Sequence, residues 1–339
     1  MVKSLNSLRF IFALLVFSVH LGWTDLATGH AFFILLSGFV LTLAYQEKLV
    51  PGVMSYWDFI KKRLIRIYPL HVITLILAIP FTLNELVQDG AVWTLKFVLN
   101  LLHLHVFVPK EGFYFSFNSV TWNSAILLVF YFLFPFFLSL IKQMSSRALW
   151  MGFLFMVLTI VLSGIMIPKE YHHYYLYISP YFRVFDFLIG MMLFQIIKNR
   201  NWEISKRKGT LLEISAVFMF ILFFSLVNRQ YEYFLPWSYS ILLWIVLVPL
   251  IAVFYYEKGW ISQQILALPV FQELGKISFG FYMFHLIVMR YLGVVSTKIG
   301  LEVNGFLFAI LALLITVLLA LKSENLSKNQ FSKLLWLKA

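Results

Sequence analysis

Apolar residues run in long blocks along this chain, and polar residues gather in the short stretches between them. Eleven apolar segments can be drawn, at roughly 5–22, 30–46, 68–85, 91–107, 118–141, 149–167, 177–197, 210–228, 237–256, 277–296 and 303–321. The hydrocarbon core of a bilayer is about 30 Å thick and takes about 20 helical residues to cross. No water is present there to satisfy a backbone, so blocks of this length predict helices that close their own hydrogen bonds. The expected fold class is an all-α polytopic integral membrane protein.

Charge placement decides which segments cross. The connection 46–66 holds Lys48, Lys61, Lys62, Arg63 and Arg66, and 142–148 holds Lys142 and Arg147 with no acid. The connection 198–208 carries Lys198, Arg200, Lys206, Arg207 and Lys208. Basic connections belong on the cytoplasmic side. If 91–107 crossed, 46–66 and 142–148 would lie on opposite sides; if it stays outside as a re-entrant or interfacial helix, every basic connection falls inside. Lys96, His103 and His105 also make that segment a poor span. The expected topology is ten crossings with both termini cytoplasmic, and the tail with Lys322, Lys328, Lys333 and Lys338 inside.

Composition narrows the class further. The chain has 339 residues, 61% of them hydrophobic and 19% aromatic, and its mean hydropathy is +0.86. An ordinary soluble domain is excluded. The net charge of +12 would suit nucleic acid, but its confinement to short connections is the positive-inside pattern, so the bilayer is the expected partner and nucleic acid is not. With no cysteine, disulfides, thiol catalysis and cysteine-ligated metals are excluded. The first apolar run ends in Leu21-Gly-Trp-Thr-Asp25 and not at a small-residue cleavage site, so it reads as a retained span. No repeat or long linker interrupts the chain, which predicts one membrane domain over 1–339.

Several polar groups stand inside these apolar blocks. Ionisable groups in a membrane helix are costly and point to function by default. Arg9 and His20 are eleven positions apart, which returns nearly to the same helical angle at about 16 Å along the axis. One face thus carries a fixed cation and, nearer the outer half, a base that titrates near neutrality. A catalytic histidine and a structural one bonded to a neighbouring helix are both open readings. Arg63 and Arg66, at i and i+3 before the third segment, present two guanidinium forks that suit phosphate oxygens; a basic cluster that sets topology and touches anionic lipid is the alternative.

Three more groups are less specific. Ser37-Gly38 inside the second segment read first as a close helix contact. Ser278, Tyr282 and His285 share one helical face, either lining a cavity or bonding helices together. Arg183 and Asp186, three apart, read as a paired ion couple with a structural role. His172 and His173 read as surface residues. No phosphate-binding glycine loop, zinc signature or hydrolase elbow is present.

Together and in order, these residues resemble the membrane-bound acyltransferase family 3. The resemblance rests on Arg9…His20, then Phe32-Phe33…Ser37-Gly38-Phe39, then Arg63-x-x-Arg66-Ile-Tyr-Pro69. It continues through Asn118…Trp122 to Phe130-Tyr131…Pro135, Arg183…Phe187…Gly190, and Leu274-Gly-x-Ile-Ser278…Tyr282…His285. It implies an O-acyltransferase of a bacterial inner membrane that moves an acyl group, usually acetyl from acetyl-CoA, to a hydroxyl of a surface polysaccharide, lipopolysaccharide or lipid-linked glycan. It implies His20 and Arg9 as catalytic residues, and Arg63 and Arg66 as the ligands of acyl-CoA. Ser37, Trp122, Tyr131, Arg183, Ser278, Tyr282 and His285 are the implied substrate-binding positions, and no metal is implied.

The family motif carries an acid five positions after the tryptophan, where this chain has Leu127; Asn123 and Ser124 also depart from it, and the second-segment phenylalanine pair is offset onto Phe33 and Ile34. Asp25 is the nearby acid that could substitute. Two other readings stay open: a catalytically impaired relative, and a transporter or flippase of glycan precursors that uses the same intramembrane Arg and His.

Overall fold

The computed structural model describes residues 2–24, 28–200, 202–229, 236–300 and 305–326. Asp25 and the tail residues Lys328, Lys333 and Lys338 lie outside them. The chain begins with α1 (Lys3–His20), α2 (Thr28–Tyr45) and α3 (Tyr56–Ala78). Short α4 (Leu83–Gln88), α5 (Gly90–Leu101) and α6 (Glu111–Tyr114) follow. Then come α7 (Thr121–Gln143), α8 (Ser146–Met166), the single turn α9 (Lys169–His172), α10 (Pro180–Arg200) and α11 (Lys206–Arg229). The series closes with α12 (Ile241–Tyr255), α13 (Pro269–Lys298) and α14 (Gly305–Leu326). No strand occurs among the described residues.

Among the described residues nine helical stretches are long and apolar enough to cross a membrane. Helix α1 has 18 residues but is not one of the nine: Lys3, Ser4, Asn6, Ser7 and Arg9 crowd its first half. These polar groups are placed by hydrogen bonds and not by lipid. Ser7 donates to the Leu266 carbonyl at 2.7 Å and Asn6 to that of Gln272 at 2.9 Å. Helix α5 has 12 residues, about 18 Å of helix, well short of the core thickness.

The chain divides into two compact units. The first comprises 1–60 and 129–275. Its centre is the contact of α2 with α10, which approach so closely that a Cβ on Gly38 would strike the Phe187 carbonyl and one on Gly190 the Leu35 carbonyl. Helix α1 joins through the stacked rings of Phe12 and Phe32, 3.7 Å apart and 6° from parallel.

One end of this unit bears directly on topology. Lys142, near the end of α7, donates to the Gln46 carbonyl at 2.8 Å, and Lys198, near the end of α10, pairs with Glu47 at 2.8 Å. The hydrogen bond and charge of Lys198, with Lys142 nearby, hold the Glu47 carboxyl below its usual range. Three basic connections thus meet at one end, which requires an even number of crossings between 46 and 142. Helices α3 and α7 supply them, and α5 does not cross.

The second unit comprises 61–128 and 276–339. Leu75 and Ala78 of α3 pack with Phe117 and Ile287, and Trp93, Phe97 and Leu101 of α5 cover them. Tyr68 donates to the Leu101 carbonyl, and His71 lies 2.9 Å from the carbonyl of Asn100. The C-terminal end of α5 therefore sits beside the middle of α3, one helix length in from the connection 79–89. Helix α5 thus folds back along α3, the arrangement expected of a helix that enters and leaves on one side.

Candidate functional site

In the first unit, Arg9 and His20 occupy the same angular sector of α1 as the buried Leu5, Ala13 and Val16. They belong to the packed side of the helix, yet Arg9 is only half-buried and His20 is exposed. Both side chains take part in interactions within the structure, and ionisable groups on the packed side of a membrane helix point to function by default.

Three other expected site residues fall in this unit. Ser37 is half-buried on α2 beside the close contact at Gly38, and Tyr131 is buried on α7. Arg183 is buried, and its two terminal nitrogens are bonded within the unit. Its guanidinium pairs with Asp186 at 3.0 Å and donates to the carbonyls of Tyr239 at 2.6 Å and Leu176 at 2.8 Å, and to the hydroxyl of Ser240. Trp244 donates to the other Asp186 oxygen at 2.6 Å. These contacts fit the ion-couple reading of Arg183 and Asp186: the terminal nitrogens of Arg183 join α10 to the 239–244 stretch. His172 is no surface residue; it is buried, with its ring 2.7 Å from the Ile167 carbonyl.

In the second unit, Arg63 is half-buried and Arg66 exposed, one turn apart on α3, with Lys61 and Lys62 exposed before them. At i and i+3 the two positions share one side of the helix. Trp122 and Leu127 are both buried, at 2% and 9% exposure, so a carboxylate at position 127 would stand in the interior.

The stripe of Ser278, Tyr282 and His285 on α13 is buried throughout. Tyr282 donates to the Val120 carbonyl at 2.6 Å, and the Nδ1 of His285 donates to the Tyr282 carbonyl at 2.6 Å. Asn118 adds a bond to the Met283 carbonyl at 3.0 Å. Of the two readings of this stripe, bonding between segments is the one these contacts support.

Sequence reasoning did not single out His71, and treated His103 and His105 only as obstacles to crossing. The structure brings the three together, all buried. The signal was weak but present: His71 is five residues past Arg66, and His103 and His105 alternate at the end of a helix that does not cross.

A family model described as an acyltransferase domain matches residues 2–321. Acyltransferase MdmB of Streptomyces mycarofaciens is similar, 31% identical over 169 residues. The match covers 44% of this chain and 42% of that protein, so the likeness spans less than half the length of this relative. No solved structure matches. The family model covers both units and nearly the full chain, and the chain therefore belongs to the acyltransferase 3 family.

Proposed function

We propose that this protein moves an acyl group, acetyl in the simplest case, from cytoplasmic acyl-CoA to a hydroxyl of a surface glycan or glycolipid. The observation that carries the reading is the placement of Arg9 and His20 together on the packed side of α1. The Arg63–Arg66 pair supports it as a phosphate clamp. The protein would sit in a bacterial cytoplasmic membrane with both termini inside.

In this mechanism Arg63 and Arg66 hold the phosphates of the donor at the cytoplasmic face, and the thioester reaches into the helices. His20 takes the proton of the acceptor hydroxyl as that oxygen attacks the thioester carbonyl. Arg9 is an electrostatic partner on the same face, a fixed positive charge about 16 Å along the axis from His20. The C–S bond breaks, an ester forms, and the proton passes from the imidazolium to the departing thiolate, so CoA leaves as the thiol. A helix with a cationic residue and an imidazole on one packed face has the parts for these steps.

The test is kinetic. Arg63→Ala and Arg66→Ala should each raise the KM for acetyl-CoA about tenfold or more with the acceptor KM little changed, and Lys should substitute poorly because it lacks the fork. Free CoA thiol and alkali-labile ester should appear in equal amounts. A transporter would consume no thioester, so glycan translocation without thiol release would overturn the proposal.

A further inference from the structure

Helix α13 has 30 residues, about 45 Å of helix, which matches a bilayer together with its headgroups. Lys298 is its last residue and Arg290 stands eight positions earlier, about 12 Å deeper along the axis. A headgroup layer is about 5–7 Å thick, so Arg290 is rooted below it. An arginine at that depth is costly unless something meets its charge. The mechanism above uses neither residue.

The second unit holds Arg290 in place without neutralising it. Its Nη1 donates to the Phe117 carbonyl at 2.8 Å, and its guanidinium carbon lies 4.4 Å from the centre of the Phe81 ring. Tyr291 fixes the same turn, with its ring 4.6 Å from that of Phe81 and its hydroxyl donating to the Leu77 carbonyl at 2.9 Å. A guanidinium has five N–H donors, and both groups that Arg290 meets are uncharged. Among the described residues no carboxylate pairs with Arg290 or with the exposed Lys298. Glu302 lies outside them.

The two cations border an open groove of about 520 Å³, lined by Phe81, Arg290, Gly293, Val294, Thr297 and Lys298. No acid is in the lining, and the Thr297 hydroxyl gives its proton to the Gly293 carbonyl at 2.9 Å. Gly293 leaves the space open. A Cβ there would meet nothing within 4 Å, whereas one on Gly38 or Gly190 would strike a facing backbone. No close helix contact therefore accounts for this glycine, although glycine inside a helix is unfavourable relative to alanine. What its missing side chain spares is the groove.

The ligand that fits is both anionic and apolar. Phe81 and Val294 offer hydrocarbon, while Lys298 at the headgroup level and the long arm of Arg290 from below converge on the depth of a lipid phosphate. A free anion would leave the apolar walls unmatched, and a neutral lipid would leave the charge unmet. We propose that this groove holds one anionic phospholipid of the surrounding leaflet, with its phosphate between Arg290 and Lys298 and an acyl chain along Phe81 and Val294. The proposal goes beyond acyl transfer and does not depend on it.

The experiment uses the full chain in detergent micelles, titrated separately with phosphatidylglycerol, phosphatidylcholine and inorganic phosphate. Native mass spectrometry counts retained lipid, and the unfolding midpoint is followed in the same samples. The wild type should retain one phosphatidylglycerol in preference to phosphatidylcholine, with a raised midpoint. Arg290→Gln should need about tenfold more phosphatidylglycerol for the same response. So should Gly293→Leu, which fills the groove and keeps both cations. Equal retention of the two lipids, equal responses of wild type and both variants, or a full response to inorganic phosphate overturns the proposal. A lipid response that appears only in Glu302→Gln also overturns it, because the cations would then be met from within the chain. If Arg290→Gln fails to fold, the response of Gly293→Leu against wild type decides.

Discussion

Position 127 carries the sharpest single-residue question in this chain. Leu127 is 9% exposed on α7, one turn past Ser124, at the position where the resemblance implies an acid. Leucine can neither orient an imidazole nor bond a hydroxyl. Leu127→Glu should therefore increase acyl transfer, by about 10²-fold if the acid does general acid–base work, with a small loss of thermal stability because a buried carboxyl is costly. Unchanged turnover in that variant would show that the acid is dispensable here. Arg183 poses the opposite case. Arg183→Ala leaves Asp186 buried and uncompensated, which should cost about 3–5 kcal/mol in unfolding measurements, whereas replacing both by apolar residues of similar size should recover most of it. Loss of activity without loss of stability in Arg183→Ala would point to a substrate role. The couple itself was legible from its i, i+3 spacing. Its partners were not, because Tyr239, Ser240 and Trp244 lie more than fifty positions away and no local pattern announces them. Buried Glu213 escaped notice for the same reason: it accepts from the backbone N–H groups of Gly259 and Ser262, at 2.9 and 3.1 Å.

Among the elements, α5 shows how much a charge pattern can decide. Length alone would have let 91–107 span; the basic residues of 46–66 and 142–148 forbade it, and the contact of Lys142 with Gln46 shows the physical reason. Asp89 and Gly112 flank α5 and are both exposed. Asp89→Cys and Gly112→Cys, made one at a time in this cysteine-free chain, should both react with an impermeant maleimide from outside the cell. Labelling of either one only after permeabilisation would contradict a re-entrant α5. Hydrophobic periodicity located the crossing helices because a lipid-facing helix needs little beyond apolar length. It said less about α1, whose polar first half is held by Gln272 and Leu266 from far along the chain. It also left the reciprocal contact of Gly38 with Gly190 half-visible: a small residue marks a close approach, but only the fold names the partner.

At the scale of the whole molecule, one family domain covers two compact units that share the expected site residues between them. Arg9, His20, Ser37, Tyr131 and Arg183 belong to the first unit; Arg63, Arg66, Trp122, Ser278, Tyr282 and His285 belong to the second. The motif order along the chain carried this reading because motif spacing survives where tertiary contacts are invisible. The grouping of His71, His103 and His105 was not legible, since it is assembled from the middle of a span and the tip of a helix that never crosses. The central claim is that His20 is the base for transfer of an acyl group to a hydroxyl. It is tested most directly by incubating membranes that hold equal amounts of wild-type and His20→Ala protein with labelled acetyl-CoA and following label into glycan. The account predicts alkali-labile label with the wild type and background alone with His20→Ala; equal transfer by the two proteins would contradict it.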